Sequence, residues 1–507
     1  MKKHLLYLTA ILLILTCCEK LLDEQPQGTY PVSAFFQTEE HAKLALTACY
    51  EKLSFSNSDN RLWVFADVAS DDAFKGGFPG DQPDIGLIDD FQISPDNGNS
   101  ETTWIIYYEG VARCNQIIKY VPDINMDQAL KNRIIGEAYF LRGYFYFQLG
   151  NIFGNIPLIL WPLNPDEMQV ANSTRQEVYQ QVEKDFLEAL NKLESALDLD
   201  PGVYPGSEKG RATPGAAKAM LAKTYLFEKK WSEALTTAQE VESYGYSLMP
   251  VYQHNFNVNY ENNSESIFEI QHLKGQSPVL GNRLNQWTAP RAESGYGFNE
   301  PTQSFVDEFE FTTPGNIYDP RIDYTLGRAG KIWFDDIPYN PAWSSTGYNQ
   351  KKYLQPVSEV PRTTKGDADL NFTVIRFAEV LLIQAEALCE LNRGDEALIP
   401  LNRVRKRARE SYLYDENLDG FGTIPDGLLP DVTTTDQAQL RDAIRHERRV
   451  ELGFECQRYF DIIRYGESYA NNAMSDKPNF IYSTHQAFPI PQSEMETNLK
   501  VVQNDGY

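Results

Sequence analysis

The chain has 507 residues and a formal net charge of −25 at pH 7. Hydrophobic residues make up 42% of it, which is ordinary for a globular protein and enough for a sizeable core. The negative charge argues against nucleic-acid binding, because an acidic surface repels phosphate backbones but does not repel an uncharged ligand.

The first residues have the pattern of an export signal. A basic start is followed by a mostly apolar run at residues 5–15, which is too short to span a bilayer. Because Leu15 stands three residues before Cys18, the pattern predicts a lipoprotein signal peptide at residues 1–17. It also predicts that Cys18 is lipid-modified and anchors the protein to a membrane. The alternative is a plain cleaved signal with an incidental cysteine pair, and no later segment is apolar enough to predict a transmembrane helix.

Helical periodicity dominates the next part of the chain. Thr38 followed by two acidic residues is typical of a helix start, and the apolar stripe from Val178 to Leu197 predicts a helix with one buried face. A short strand is predicted at residues 266–271. The predicted helices cover residues 42–53, 100–120, 128–149, 174–197, 214–229 and 232–243.

Two helix pairs resemble tetratricopeptide repeats. One lies in residues 221–235 and the other in residues 381–397. In the second pair, Ala385 and Ala397 are the small residues at which paired helices approach each other. Because the pairs are far apart in sequence, they predict a helical scaffold with large insertions and not a tandem solenoid.

Two long segments lack helical periodicity. Residues 57–99 and 254–371 are irregular, and the second is rich in Gly, Pro, Asn and aromatic residues. Long irregular segments on a rigid scaffold usually carry function, so we expect the ligand site there.

Four further cysteines follow Cys18, namely Cys49, Cys114, Cys389 and Cys456. None forms a C-x-x-C pair, and each lies among helix-forming residues. Buried free thiols are therefore predicted. A single disulfide is the alternative in an exported protein, although the sequence cannot pair the cysteines.

A family resemblance emerges near the end of the chain. Residues 442–466, DAIRHERRVELGFECQRYFDIIRYG, resemble the C-terminal signature of the SusD/RagB family. Residues 22–26 and 35–42 match the family's N-terminal pattern, and residues 138–149 match again in the middle. Residues 488–507 resemble its closing motif, although aspartate replaces the usual proline at position 505.

The charges of the signature have a regular spacing. Arg448, Glu451, Glu455 and Arg458 are three, four and three residues apart, and Asp461 follows after three more. This spacing predicts one helix face that carries a paired ionic network. We interpret these charges as structural and not catalytic.

The resemblance implies a mostly α-helical fold: a tetratricopeptide-like scaffold with large loop-rich insertions and a few short strands. We expect one domain at residues 18–507, with a helical part at about 30–250 and a loop-rich and C-terminal part at about 251–507. The family consists of surface-exposed outer-membrane lipoproteins of Bacteroidetes-type bacteria. They capture oligosaccharides or other nutrients for a SusC-type TonB-dependent transporter, without catalysis or a required cofactor.

Sugar recognition requires flat apolar faces for CH groups, and amide or carboxylate groups for hydroxyls. Both occur in the two irregular segments. For any single aromatic residue, burial in a second small core is the alternative explanation. The predicted ligand-binding residues are Trp287, Arg291, Tyr296, Phe298, Trp333, Trp343, Asp72 and Asn97.

A possible structural Ca²⁺ site lies at Asp415-x-Asn417-x-Asp419-Gly420, with Asp426 at loop position twelve. This spacing matches the calcium-loop pattern, in which alternate side-chain oxygens surround the ion. Asp426 is shorter than the usual glutamate. The alternative is an acidic, glycine-rich turn.

Three other functions stay open. RagB-like members of the family are associated with peptides, and tetratricopeptide pairs can bind a partner protein. A glycosidase also stays open, because it needs only two carboxylates and the chain has 71 acidic residues. The six histidines, however, form no metal-binding spacing, and neither a nucleophile elbow nor a phosphate loop is present.

Overall fold

The computed structural model describes residues 35–56, 60–313 and 315–507. The predicted signal peptide at residues 1–17 and the predicted lipidation of Cys18 lie outside these residues and stay predictions. Within the described ranges, no helix is both long and apolar enough to cross a membrane.

The described chain is mostly α-helical, as predicted, with the long helices at residues 39–241 and 377–465. The helices are α1 (Glu39–Glu51), α2 (Pro83–Asp89), α3 (Gly98–Tyr120), α4 (Gln128–Phe153), α5 (Arg175–Leu199), α6 (Pro214–Phe227), α7 (Trp231–Val241), α8 (Leu284–Trp287), α9 (Gln303–Asp307), α10 (Ile322–Thr325), α11 (Phe377–Glu390), α12 (Gly394–Glu410), α13 (Gln437–Leu452), α14 (Arg458–Tyr465), α15 (Glu467–Ala473), α16 (Tyr482–His485) and α17 (Gln492–Thr497).

The strands are few and short. They are β1 (Ala73–Gly76), β2 (Ile156–Pro157), β3 (Asn172–Ser173), β4 (Ser266–Ile270), β5 (Phe298–Pro301), β6 (Leu326–Gly327), β7 (Asn349–Gln350) and β8 (Phe372–Arg376). They form antiparallel pairs, β1 with β5, β2 with β3, β4 with β8 and β6 with β7. The β1–β5 and β4–β8 pairs join segments that are distant in sequence.

The six helices predicted for the first half are confirmed, with ends shifted by a few residues. Thr38 begins α1, because its hydroxyl accepts a hydrogen bond from the His41 amide at 3.3 Å. Thr174 and Glu177 form a reciprocal capping box at the start of α5. Helix α4 packs between α3 and α5 and is buried along nearly its whole length.

The two tetratricopeptide-like pairs are present as α6 with α7 and α11 with α12. Ala234, Ala385 and Ala397 are completely buried, which allows the paired helices to approach closely. Helix α7 also packs against α11. The two pairs therefore lie side by side although a long insertion separates them in sequence.

The cysteine prediction is confirmed: Cys49, Cys114, Cys389 and Cys456 are buried free thiols. Burial raises the pKa of the Cys389 thiol to about 11, which keeps it protonated at neutral pH.

The signature charges do not share one helix face, so that part of the prediction is wrong. Helix α13 ends at Leu452, and the turn that follows holds Phe454 and Cys456 at φ values of 62° and 57°. Arg458 and Asp461 therefore belong to α14, and Glu455 lies in the turn. The chain bends because residues in this left-handed conformation cannot continue a helix.

The signature charges are nevertheless buried in an ionic network, as a structural role predicts, but apart from Arg448 and Asp461 they pair with residues outside the signature. Glu451 accepts hydrogen bonds from Arg376 at 2.5 Å and from Arg321 at 2.7 Å, and it also contacts Arg407. Burial disfavours the charged form of Glu451, but the three guanidinium groups outweigh it and lower the pKa of this carboxyl. The network joins β8, α12, α13 and the turn before α10.

We expect Glu451→Gln to lower the free energy of unfolding by about 3–5 kcal/mol, because it leaves three buried guanidinium groups undercompensated. Chemical denaturation of the purified protein measures this loss. The pKa of Glu451 is lowered from its ordinary value of 4.5, so its contribution is present above that pH and is lost as the pH falls through the folded-state pKa. The matched control is Glu396→Gln, which removes an exposed partner of Arg393 and should leave stability unchanged.

Candidate functional site

Three stretches of the two irregular segments meet around the β1–β5 pair. Gly76 of β1 lies opposite Phe298 of β5, which sets the turn after β1 against the segment that precedes β5. Glu300 of β5 accepts hydrogen bonds from the backbone amide and the hydroxyl of Ser345, at 2.9 and 2.5 Å. These contacts bring together parts of both irregular segments in which the sequence predicts a ligand site.

Buried aromatic rings lie beneath this surface. The ring centroids of Trp63 and Trp287 are 6.1 Å apart, and Phe298 lies 6.0 Å from Trp287 and 6.3 Å from Trp63. Trp287 is 5% exposed and Phe298 is 1% exposed. The prediction that Trp287 and Phe298 offer a face to a ligand is therefore not supported, because their rings already pack against each other.

An exposed aromatic surface lies above the buried rings. The guanidinium of Arg291 stacks 4.5 Å from the ring centroid of Phe78 and 5.6 Å from that of Tyr296. Arg291 also forms an ion pair with Asp81. Phe78 is 60% exposed and Tyr296 is half-buried. We call Phe78, Arg291 and Tyr296 the Phe78 platform.

The platform has the chemistry that a sugar requires. The exposed ring of Phe78 can cover the CH face of a pyranose, and the guanidinium and the Asp81 carboxylate can bond its hydroxyls. The ion pair with Asp81 holds the guanidinium in place, so its stacked position is preset before a ligand arrives.

Glycines allow the turn that carries Phe78. Gly76 and Gly77 have φ values of 67° and 68°, which side chains rarely adopt. A Cβ atom on Gly77 would lie 2.6 Å from the Phe298 ring, so only glycine permits this close approach to β5. Phe78 is not among the residues predicted from the sequence, although the run Gly-Gly-Phe-Pro-Gly inside the irregular segment 57–99 indicates an exposed aromatic turn.

Trp333 belongs to a separate buried cluster, so the prediction that it contacts a ligand is not supported either. It is 1% exposed, its indole N–H donates to Glu293 at 3.1 Å, and its ring packs 5.5 Å from Tyr339. Trp343 is half-buried at the outer edge of this cluster, 5.5 Å from Tyr339. Trp343 is thus the only predicted tryptophan that keeps appreciable exposed surface.

Asp72 and Asn97 are structural, which corrects their predicted role in ligand binding. Asp72 is buried and accepts a hydrogen bond from Arg449 at 2.7 Å. Burial raises the pKa of Asp72 to about 6, against the opposing effect of Arg449. Asn97 caps α3, because its side-chain oxygen accepts from the amide of Asn99 at 3.0 Å.

The candidate calcium loop is a turn in which one carboxylate is already occupied. Asp415 is buried, accepts a hydrogen bond from Asn417 at 3.0 Å and contacts the Tyr324 hydroxyl. Asp419 and Asp426 are exposed. In the described part of the chain, no three His, Cys, Asp or Glu side chains are placed to share a metal ion. Calcium binding stays a prediction.

Comparison with known proteins gives consistent matches. Residues 264–507 match the model of the SusD family, and residues 36–226 match a model described as starch-binding and associating with the outer membrane. SusD-like protein P2 of Formosa agariphila is 27% identical over the full length of both chains.

Solved structures of similar proteins match this chain over most of its length. A laminarin-binding SusD-like protein is 30% identical, with a TM-score of 0.78, over 93% of this chain and 100% of its own. A SusD-like carbohydrate-binding protein from Bacteroides fragilis is 26% identical, with a TM-score of 0.74, over 92% of this chain and 99% of its own.

The two layers of aromatic residues should respond differently to truncation. We expect Phe298→Ala to lower the free energy of unfolding by about 3–5 kcal/mol, because it opens a cavity beside Trp63 and Trp287. Phe78→Ala should change it by less than about 0.5 kcal/mol, because most of the ring faces solvent. Chemical denaturation of both variants measures the difference. Equal losses of stability would contradict the conclusion that Phe298 is a buried core residue and Phe78 an exposed platform residue.

Proposed function

Because the chain belongs to the SusD family, we propose that it is a cell-surface protein that binds a glycan on the Phe78 platform. The observation that carries this proposal is the exposed Phe78 ring, stacked with Arg291 above buried aromatic rings. Proteins of similar sequence and structure are named for the binding of laminarin and starch. In this proposal the platform covers one face of a sugar ring, and Arg291 and Asp81 bond its hydroxyls.

The platform favours a neutral sugar. The guanidinium of Arg291 is matched by the Asp81 carboxylate, so the pair needs no counter-ion from the ligand. The protein as a whole carries a net charge of −25, which repels strongly acidic chains at long range. Neutral glycans, with laminarin among them, are therefore the first ligands to test.

The proposal extends to the setting in which the protein works. A lipid on Cys18 anchors it to the outer membrane, where it delivers the captured oligosaccharide to a SusC-type TonB-dependent transporter. The protein itself binds and does not cleave the glycan. The family membership supports these steps, and the match to a model described as associating with the outer membrane supports the location.

Isothermal titration of the purified protein against laminarin, other neutral glycans and oligopeptides tests the binding step. We expect saturable binding to a neutral glycan, weakened about tenfold or more by Phe78→Ala and by Tyr296→Ala, because each removes part of the stacking surface. The matched control is Trp161→Ala, which truncates a 51% exposed ring outside the platform. This variant should bind as tightly as the unaltered protein.

Other outcomes separate the alternatives. Heat from peptides alone would assign the protein to the peptide-binding branch. Release of sugar from any glycan by the pure protein would establish an enzyme. Unchanged glycan binding by both platform variants would place the site elsewhere.

The predicted anchor has its own test. We expect Cys18→Ala to release the protein from the membrane fraction, because acyl chains on one cysteine are its only predicted membrane attachment. Fractionation of cells after incorporation of labelled palmitate measures both lipid attachment and location. Membrane retention of the unlabelled variant would contradict the prediction.

A further inference from the structure

A cavity of about 680 Å³ lies away from the Phe78 platform. It opens between the segment that contains α10, the residues after β7 and the turn at residues 412–419. Its volume is in the range of small-molecule sites, about 300–1,000 Å³. None of the platform residues lines it.

Several aromatic residues line the cavity. Tyr318, Tyr324, Phe334 and Tyr412 all line it. Two of these rings also lie against cations: Arg328 stacks 4.6 Å from the centroid of Tyr318, and the Lys351 ammonium lies 4.9 Å from that of Phe334. The cavity thus offers several flat faces together with polar groups, which is the combination that a saccharide requires.

The charges in the wall are not all matched. Asp323 bonds Arg328 through both carboxylate oxygens, at 2.6 and 3.1 Å, and lies 3.5 Å from Lys331. Asp323 therefore already has cationic partners. Lys351 donates to the carbonyl of Ile332 at 3.1 Å, and in the described ranges no carboxylate lies within ion-pair distance of its ammonium.

Lys351 is consequently a cation at a concave surface whose ammonium has no carboxylate in direct contact among the described residues. Burial lowers the pKa of Lys351 to about 8, although the nearby Asp323 carboxylate offsets part of the lost hydration. An anion that entered the cavity would supply the missing partner.

The cavity and the platform are separated by the Trp333 cluster. Phe334 packs 5.0 Å from Trp333 on the cavity side, and Trp333 bonds Glu293, two residues from Arg291 of the platform. The two surfaces share no lining residue. They can therefore hold different ligands at the same time.

We propose that this cavity is a second saccharide site, which takes a sugar unit that bears a carboxylate or a sulfate. The anionic group binds the Lys351 ammonium, and the sugar ring packs on Phe334 and the neighbouring tyrosines. The inference extends the proposed glycan-binding function to acidic glycans, but it rests on residues that the platform does not use.

Isothermal titration of the purified protein tests the proposal with matched oligosaccharides in uronate, sulfated and neutral forms. We expect an acidic form to bind more tightly than its neutral counterpart. Comparison of the uronate and sulfated forms shows whether the site prefers a carboxylate or a sulfate. Lys351→Met should weaken that binding about tenfold or more, because a charge-assisted hydrogen bond is lost, whereas Lys351→Arg should restore most of it. Lys331→Met, which removes a cation already close to Asp323, is the matched control and should have a smaller effect.

The inference is overturned if no acidic oligosaccharide binds more tightly than its neutral form, or if acidic binding is the same in Lys351→Met. Binding of acidic peptides alone would overturn it as well. Failure of the platform proposal is distinguishable, because it shows as unchanged binding of neutral glycans in Phe78→Ala. A melting curve of Lys351→Met shows whether this variant is folded. If it is not, the comparison of acidic and neutral binding in the folded Lys351→Arg variant still tests the proposal.

Discussion

The buried carboxylate of Glu451 is the constraint on which the fold depends. Three guanidinium groups surround it, and the residues that carry them come from β8, from α12 and from the turn before α10. Burying one charge without its partners is far more costly than burying a complete set. The loop-rich insertion, the second tetratricopeptide-like pair and the C-terminal signature must therefore assemble together, which fixes how the irregular segments sit on the helices.

A second buried ionic group positions the platform. Asp71 bonds Arg458 at 2.7 and 2.8 Å, and Asp72 bonds Arg449 at 2.7 Å. Both aspartates directly precede β1, whose end leads into the turn that carries Phe78. The C-terminal helices thus hold the start of β1, and β1 holds β5 by backbone pairing. These ion pairs fix the residues at the start of β1. The long irregular segment that contains β1 can therefore present a preset ligand surface.

The candidate site could be predicted from the sequence only as a region. Aromatic residues in a glycine-rich segment indicate either an exposed platform or a small core, and this segment contains both. Trp287, Phe298 and Trp333 are buried, whereas Tyr296 and Arg291 are half-buried. Nothing in the local sequence distinguishes them, because exposure depends on what the rest of the chain places over each ring. The cavity at Lys351 could not be predicted from the local sequence either, because its walls come from segments far apart in sequence.

The sequence by itself determined the helices, the buried thiols and the two tetratricopeptide-like pairs, because periodicity, capping residues and small packing residues act locally. It also identified the signature charges as a structural network. Only the tertiary structure decided that α13 ends at Leu452, that the two helix pairs meet and that Asp72 bonds Arg449. The physical reason is the range of the interactions: hydrogen bonds within a helix turn are encoded by neighbouring residues. The partner of a buried charge and the exposure of a ring, by contrast, are set by residues hundreds of positions away.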